Sequence, residues 1–285
     1  MGVEDRFMAD SGRYPTDLTD LQWEVVKPLL WSRPRGPGGR PPEYDRRRIV
    51  DAILYVNRTG CAWRMLPKDF PPWRRVYDYF ARWRDDGTTR RMHDALRRQV
   101  REQEGRGAEP TAGSIDSQSV KGADTVGRES RGYDAGKKIN GRKRHIGVDT
   151  IGLLIVVMVT AASMQDRDGG RHLVTRMALT TPTLRLVWAD GGYAGKLIDF
   201  AHTFWRVTIQ IVNKLAGQTG FHVLPRRWVV ERTFSWMMRQ RRLCRDYERL
   251  PQTHEAFAHW AMISVMLNRL QRPPGRRPWA PKEAA

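Results

Sequence analysis

Cysteine is nearly absent from this sequence: Cys61 and Cys244 stand far apart among 285 residues. There is no CxxC pair and no cluster of Cys with His. Neither a zinc module nor a disulfide framework is therefore supported, and a reducing cytoplasm fits. Long apolar runs are missing as well. The longest, residues 153–159, is strand-sized and falls short of the roughly 18 residues that a spanning helix needs. The opening MGVEDRFMAD lacks the apolar core of a secretory signal, and Arg6 stands where a myristoylation motif needs Ser or Thr. Acidic residues are in short supply, 31 against 50 Lys+Arg, for a net charge of +19. Such an excess repels itself and does not help folding. It makes sense when the partner is a polyanion, and nucleic acid comes first because each neutralised phosphate releases a condensed counterion. Lysine is scarce too, so Arg supplies most of the charge. Bidentate phosphate contacts would favour that bias, and so would a GC-rich coding sequence.

What is present falls into two stretches, flanked by tails at 1–13 and 273–285. Residues 14–105 read as a helical unit. Thr19 with Gln22 resembles a capping box opening a helix to about Leu30. The stretch RPRGPGGRPP at 33–42 breaks regular structure. Asp45 starts a second helix with Ile49, Ile53 and Val56 on one face, and Gly60 stops it. A third runs over about 72–86 and a fourth over about 88–103. Their exposed faces are rich in Arg.

Residues 106–272 change pattern and read as an α/β catalytic domain. Five strand-like segments appear: GSIDSQSV, KRHIGVDT, LLIVVMVTA, LRLVWAD and VTIQIVN. The third should be buried on both faces, and the fifth alternates like an edge strand. Helices are expected at about 167–178, 195–205, 226–245 and 253–270. Three consecutive strands followed by alternating strand–helix units predict a mixed sheet with helices on both faces.

Three carboxylates are candidates for one site. Asp116 lies in the first strand, Asp190 ends the fourth, and Glu231 lies near the start of the helix after the fifth. If the first and fourth strands are neighbours, the two aspartates meet, and the helix can turn Glu231 inward. Phosphodiester cleavage needs a strong nucleophile and a stabilised leaving oxygen, which two divalent ions about 3.5–4 Å apart supply. Mg²⁺ keeps several waters, so three acids suffice. Asp149 reads instead as a hairpin-turn residue, Asp166 as a helix cap and His145 as a sheet side chain.

The basic candidates for DNA contact are grouped. The segment GKKINGRKRH, with Lys137, Lys138, Arg142, Lys143 and Arg144, combines charge with two glycines that allow close backbone approach. Arg227, Arg239, Arg241 and Arg242 flank Glu231. Arg46 and Arg47, then Arg74 and Arg75, stand near helix starts, where phosphate is favoured. Trp23, Trp73, Trp83 and Trp236 read as core packing.

The segments SIDSQSVK, GKKINGRKRHIGVDTIG, WADGGYAG and VVERTFSWMMRQRRLCRDYE, in this order and spacing, resemble bacterial insertion-sequence transposases of the DDE type, in the insertion-sequence-five group. So do YPTDLTDLQWEVVKPLL and GCAWRMLPKDFPPWRRVYDYFARW, which resemble that group's helical DNA-binding region. The resemblance covers roughly residues 14–270. It implies an RNase H-like five-stranded sheet in the order 3-2-1-4-5. It implies Asp116, Asp190 and Glu231 as the metal-binding triad, two Mg²⁺ or Mn²⁺ ions, and action on terminal inverted repeats. The related insertion-sequence-four pattern has a Tyr, an Arg four residues before the Glu and a Lys seven after it. Arg227 and Glu231 match it. Leu224 replaces the Tyr and Met238 the Lys, which leaves Arg239 or Arg241 to supply the missing charge. A non-transposing nuclease on the same core, and a DNA-binding protein with a decayed site, are the alternatives.

Overall fold

The computed structural model describes residues 14–30, 44–212 and 228–272. The 33–42 stretch, both tails, Leu224 and Arg227 lie outside the described residues. The first helix among the described residues is α1 (Asp20–Val26), whose capping box is formed as expected: Thr19 Oγ1 accepts from Gln22 N, and Gln22 Oε1 accepts from Thr19 N. The helix is shorter than its pattern. Pro28 has no N–H to continue the ladder, and residues Lys27–Leu29 tighten into a 3₁₀ turn. α2 (Arg46–Thr59) is capped by Asp45 and closed by Gly60 at φ 72°, a left-handed value that glycine adopts without strain. α3 (Trp73–Asp85) and α4 (Thr88–Gln103) follow.

The sheet comprises β1 (Ala112–Lys121), β2 (Gly132–Asp134), β3 (Ile139–Asp149), β4 (Leu154–Ala161), β5 (Leu186–Ala189) and β6 (Thr208–Ile211). β4, β3, β1, β5 and β6 lie side by side in that order, with β3 antiparallel to both neighbours and β1, β5 and β6 mutually parallel. This is the predicted 3-2-1-4-5 arrangement. The sequence reading missed β2, whose three residues pair with the start of β3 and carry too little pattern to stand out. α5 (Asp166–Thr180) and α6 (Lys196–Trp205) cover one face. α7 (Trp228–Met238), α8 (Arg241–Cys244) and α9 (Pro251–Leu270) cover the other. A single helix was expected over about 226–245. Among its described residues it breaks at Gln240, which is extended.

Buried residues of α1–α4 share one hydrophobic cluster with β3, β4, α7 and α9: Ile53, Phe80 and Leu96 belong to the same core as Ile146, Val157 and Trp260. Each large aliphatic side chain buried there contributes about 1.5–3 kcal/mol. α9 is buried on most of its surface because it is sandwiched between helices and sheet. Among the described residues, no helix is long and apolar enough to cross a membrane.

A glycine pair inside α5 is unusual, since each costs about 1 kcal/mol against Ala in a helix interior. Packing explains both. A methyl group on Gly169 would overlap the buried His145 ring, and one on Gly170 would lie 2.9 Å from Tyr193 Cδ1 and 2.8 Å from Leu197 Cδ2. Gly169→Ala should therefore destabilise the protein by about 1–3 kcal/mol through overpacking, despite its better helix propensity. Urea unfolding measures this, and a more stable variant would show that α5 is free to shift away from the sheet.

Candidate active site

Successive side chains of a strand point to opposite faces. In β1, Ile115 joins the cluster under α5 and α6, and Ser117 Oγ donates to Asp166 Oδ1 at 2.7 Å on that same side. Asp116 and Gln118 therefore face the α7 side. In β5, Val187 and Ala189 fill the α5/α6 core, so Trp188 and Asp190 alternate onto the other face. The parallel register pairs Ser114 with Trp188. Asp116 and Asp190 each lie two residues beyond that last pair, on the same face of adjoining strands. Asp190 also caps the short 3₁₀ turn Gly191–Tyr193, its Oδ1 accepting from Gly192 N at 2.9 Å. Asp116 Oδ1 accepts from Ser117 N at 2.7 Å. Both side chains are half-buried.

Glu231 lies in the first turn of α7 and is exposed. Residues seven apart on a helix share a face, which puts Glu231 in line with Met238. Met238 Sδ stands 3.3 Å from Arg144 Nη2, and that same nitrogen donates to Gln118 Oε1, two residues along from Asp116. α7 is held by its other flank: Thr233 Oγ1 donates to Gly152 O at 2.8 Å and Arg232 Nη2 to Ile151 O at 2.8 Å. The structure thus sets Asp116 and Asp190 on one face of adjoining strands and Glu231 on the helix that packs against that face. Among the described residues, no three His, Cys, Asp or Glu side chains converge closely enough to hold a metal ion.

Asp166 and Asp149 are occupied elsewhere. Asp166 is the first residue of α5 rather than its cap, which is Gln165. It pairs with Lys143 at 2.9 Å, and the hydrogen bonds from Ser117 and Lys143 hold its carboxyl below the usual range against burial. Asp149 is the expected turn residue, its Oδ1 accepting from Ile151 N and Leu153 N. His145 is a buried sheet side chain, with Nε2 3.0 Å from Thr160 Oγ1. Burial lowers its pKa to about 4.

A model of a family described as "Transposase DDE domain" matches residues 107–267, more than half of the chain. The chain belongs to this family. A second model, described as a putative transposase of the IS4/5 family, matches residues 18–93. The chain is similar to the putative transposase for insertion sequence element IS402 of Burkholderia cepacia, 29% identical over 141 residues, which are 46% of this chain and 65% of that protein. It is similar to the uncharacterized protein y4sN of Sinorhizobium fredii, 32% identical over 83 residues, 29% of this chain and 65% of that protein. Each match spans less than two thirds of the relative's own length. A DDE domain implies an RNase H-like core, and the sheet order described above fits it.

Several basic residues expected on the DNA path of this DDE protein are built into its core instead. The GKKINGRKRH segment begins as an exposed hairpin turn leading into β3, and β3 is buried on both faces from Gly141 onward. Arg142 is 1% exposed and pairs with Asp246 at 3.1 Å, with further bonds to the Glu248 and Arg249 carbonyls. Lys143 is spent on Asp166 and the Met164 carbonyl. Arg144 is wholly buried, and burial lowers its pKa to about 10. Arg242 pairs with Glu248 at 2.6 Å and donates to Cys61 O. Near the start of α2, Asp45 already caps the helix, Arg47 binds Asp20 and the Leu18 carbonyl, and Arg46 reaches the Leu30 carbonyl. Clustered positive charge in the sequence therefore served two purposes, and periodicity did not separate them. Lys137, Lys138, Arg74, Arg75, Arg239 and Arg241 are exposed. Lys137 Nζ reaches Ser117 O at 3.4 Å, one residue from Asp116. The space at Met238 is filled by the guanidinium of Arg144, which comes from another strand and was not foreseen for that position.

Tyr193 was also missed. It is fully buried, and its pKa is raised well above the ordinary value, first by burial and then by Asp116, Asp166 and Asp190, against a side-chain hydrogen bond with Ser117. The signal that could have found it is the Gly169–Gly170 pair, which marks a close approach to that helix.

Proposed function

We propose that this protein is a DNA transposase that cleaves insertion-sequence ends and joins the freed 3′-hydroxyl to target DNA. The reading is supported by Asp116 and Asp190 following paired strands of an RNase H-like sheet onto one face of it. Asp116, Asp190 and Glu231 would hold two divalent cations, Mg²⁺ or Mn²⁺. Their donors are all carboxylate oxygens, and the two aspartates are partly open to solvent, which suits a hard, hydrated ion. Bound there, such ions strengthen the attacking oxygen and neutralise charge on the leaving one. Water attacks the phosphorus at the element end, the bond to the 3′ oxygen breaks, and a 3′-hydroxyl is left. That hydroxyl then attacks a target phosphorus in line and displaces the target's own 3′ oxygen. No covalent enzyme intermediate forms, so no Ser or Tyr nucleophile is required. The helical region 14–105 would recognise the inverted repeats, 106–272 would carry the chemistry, and two ends would require at least a dimer on cytoplasmic DNA.

Incubating the protein with precleaved ends, target plasmid and Mg²⁺ tests this. Joined product supports a transposase, hydrolysis alone a nuclease, and binding without either reaction a DNA-binding protein with a decayed site.

The exposed cations make a separate expectation. Replacing Lys137 and Lys138 by Ala should weaken duplex binding and reduce the slope of log affinity against log salt by about 1 per lost phosphate contact. Fluorescence anisotropy across a salt series reads it. An unchanged slope would remove the hairpin from the DNA path.

A further inference from the structure

Resting on the reading of DNA as the substrate, we propose that Arg58, Arg64, Arg239 and Arg241 form one phosphate-binding surface. It crosses from the helical region to the helix of Glu231, so that both regions grip the same stretch of duplex. The junction between them is tight. Arg58, in the last turn of α2, donates from Nη1 to the Arg239 carbonyl at 2.6 Å. A methyl group on Gly60 would lie 3.0 Å from Arg241 Cβ, and Arg242 Nη1 donates to Cys61 O at 2.9 Å. Arg64 follows in the 3₁₀ turn Trp63–Met65, its guanidinium 5.3 Å from the centroid of the Trp73 ring. On the catalytic side, Glu231, Ser235 and Arg239 recur every four residues and are all exposed, which makes them one ridge. At about 1.5 Å per residue the ridge runs about 12 Å from Glu231 to Arg239, the length of roughly three to four base pairs.

What this surface lacks is acid. Other arginines are matched to carboxylates: Arg47 to Asp20, Arg101 to Asp149, Arg142 to Asp246 and Arg242 to Glu248. Arg58, Arg64, Arg239 and Arg241 are all exposed, and among the described residues none of them stands in an ion pair. A cation in the last turn of a helix is favourable by itself, which explains a basic residue at position 58. It does not explain why that side chain is laid against a segment carrying two more arginines. Like charges gathered without a counter-charge repel one another. A phosphate backbone relieves the repulsion, gains the release of its own counterions, and offers paired oxygens that a guanidinium fork fits.

The test is filter binding of the full chain to a duplex of about 12 base pairs, roughly 40 Å long, across a salt series without divalent cations. The duplex is kept short so that a second surface elsewhere on the protein cannot share it. Arg58→Gln with Arg64→Gln, and Arg239→Gln with Arg241→Gln, should each make the slope of log affinity against log salt shallower by about 2, and all four together by about 4. Arg58→Lys with Arg64→Lys keeps both charges and should keep the parent's slope, which separates charge from folding. Arg185→Gln, exposed at the opposite end of β5 from Asp190, should leave the slope unchanged. The inference is overturned if either glutamine pair binds with the parent's slope, if the lysine pair behaves as the glutamine pair does, or if Arg185→Gln costs as much per charge. A parent that fails to bind duplex at all would instead bring down the DNA reading itself.

Discussion

Asp190→Asn should lower strand transfer by about a thousandfold while leaving duplex affinity and melting temperature close to the parent's. The size follows from the chemistry. Cation stabilisation of the charge developing in the transition state is worth several kcal/mol, and about 4 kcal/mol corresponds to three powers of ten in rate. Asn keeps the size of the side chain and one oxygen, so the bond from Gly192 N to Oδ1 and the cap of the 3₁₀ turn survive. What is lost is the negative charge on the face of the sheet that Asp116 shares. Nothing in the helical region is touched, so DNA binding should persist. Single-turnover assays with precleaved ends measure the rate and anisotropy the affinity. A variant that joins ends within tenfold of the parent would remove Asp190 from the reaction. A variant that no longer folds would show that the capping role outweighs any other.

Arg101→Met should cost about 3–5 kcal/mol of stability, the usual price of orphaning one member of a buried ion pair. Arg101 Nη1 and Asp149 Oδ2 are 2.7 Å apart and almost wholly buried, at 6% and 0% exposure. Met covers the same apolar surface without the charge. Asp149 would keep the backbone donors Ile151 N and Leu153 N but lose its counter-charge. The double variant Arg101→Met with Asp149→Asn should recover part of the loss, because a neutral amide needs no cation. This pair joins α4 to the β3–β4 turn whose Ile151 and Gly152 carbonyls hold α7. The first helices and the helix of Glu231 therefore share one anchor. Urea unfolding of parent, single and double variants measures it. A single-variant loss below about 1 kcal/mol, the range of exposed pairs, would show that water reaches the bridge.

The outline of the fold was legible because its signals are local. The Thr19–Gln22 box, the Asp45 cap, Gly60 and the 3.6-residue spacing of Ile49, Ile53 and Val56 each act within a turn or two. The apolar run that became β4 could only be a strand buried on both faces. The strand order was different: it came from family resemblance, since nothing within β1 names its neighbours. The register that pairs Ser114 with Trp188, just before the two aspartates, is a long-range property of the same kind. The basic residues failed for a related reason. Arg142, Arg144 and Arg242 look like surface charge in a linear reading, and only the folded chain shows Asp246, Gln118 and Glu248 waiting for them. Tyr193 stayed hidden because its meaning depends on a glycine in a different helix.

The account's central claim is that Asp116, Asp190 and Glu231 share cations. A crystal of the protein with cleaved inverted-repeat DNA and Mn²⁺, recorded at the manganese edge, tests it most directly. The expected result is two anomalous peaks about 3.5–4 Å apart, ligated by both aspartates and by Glu231 carried inward on α7. Manganese bound elsewhere, or bound by the aspartates with Glu231 still facing solvent in the DNA complex, would contradict it.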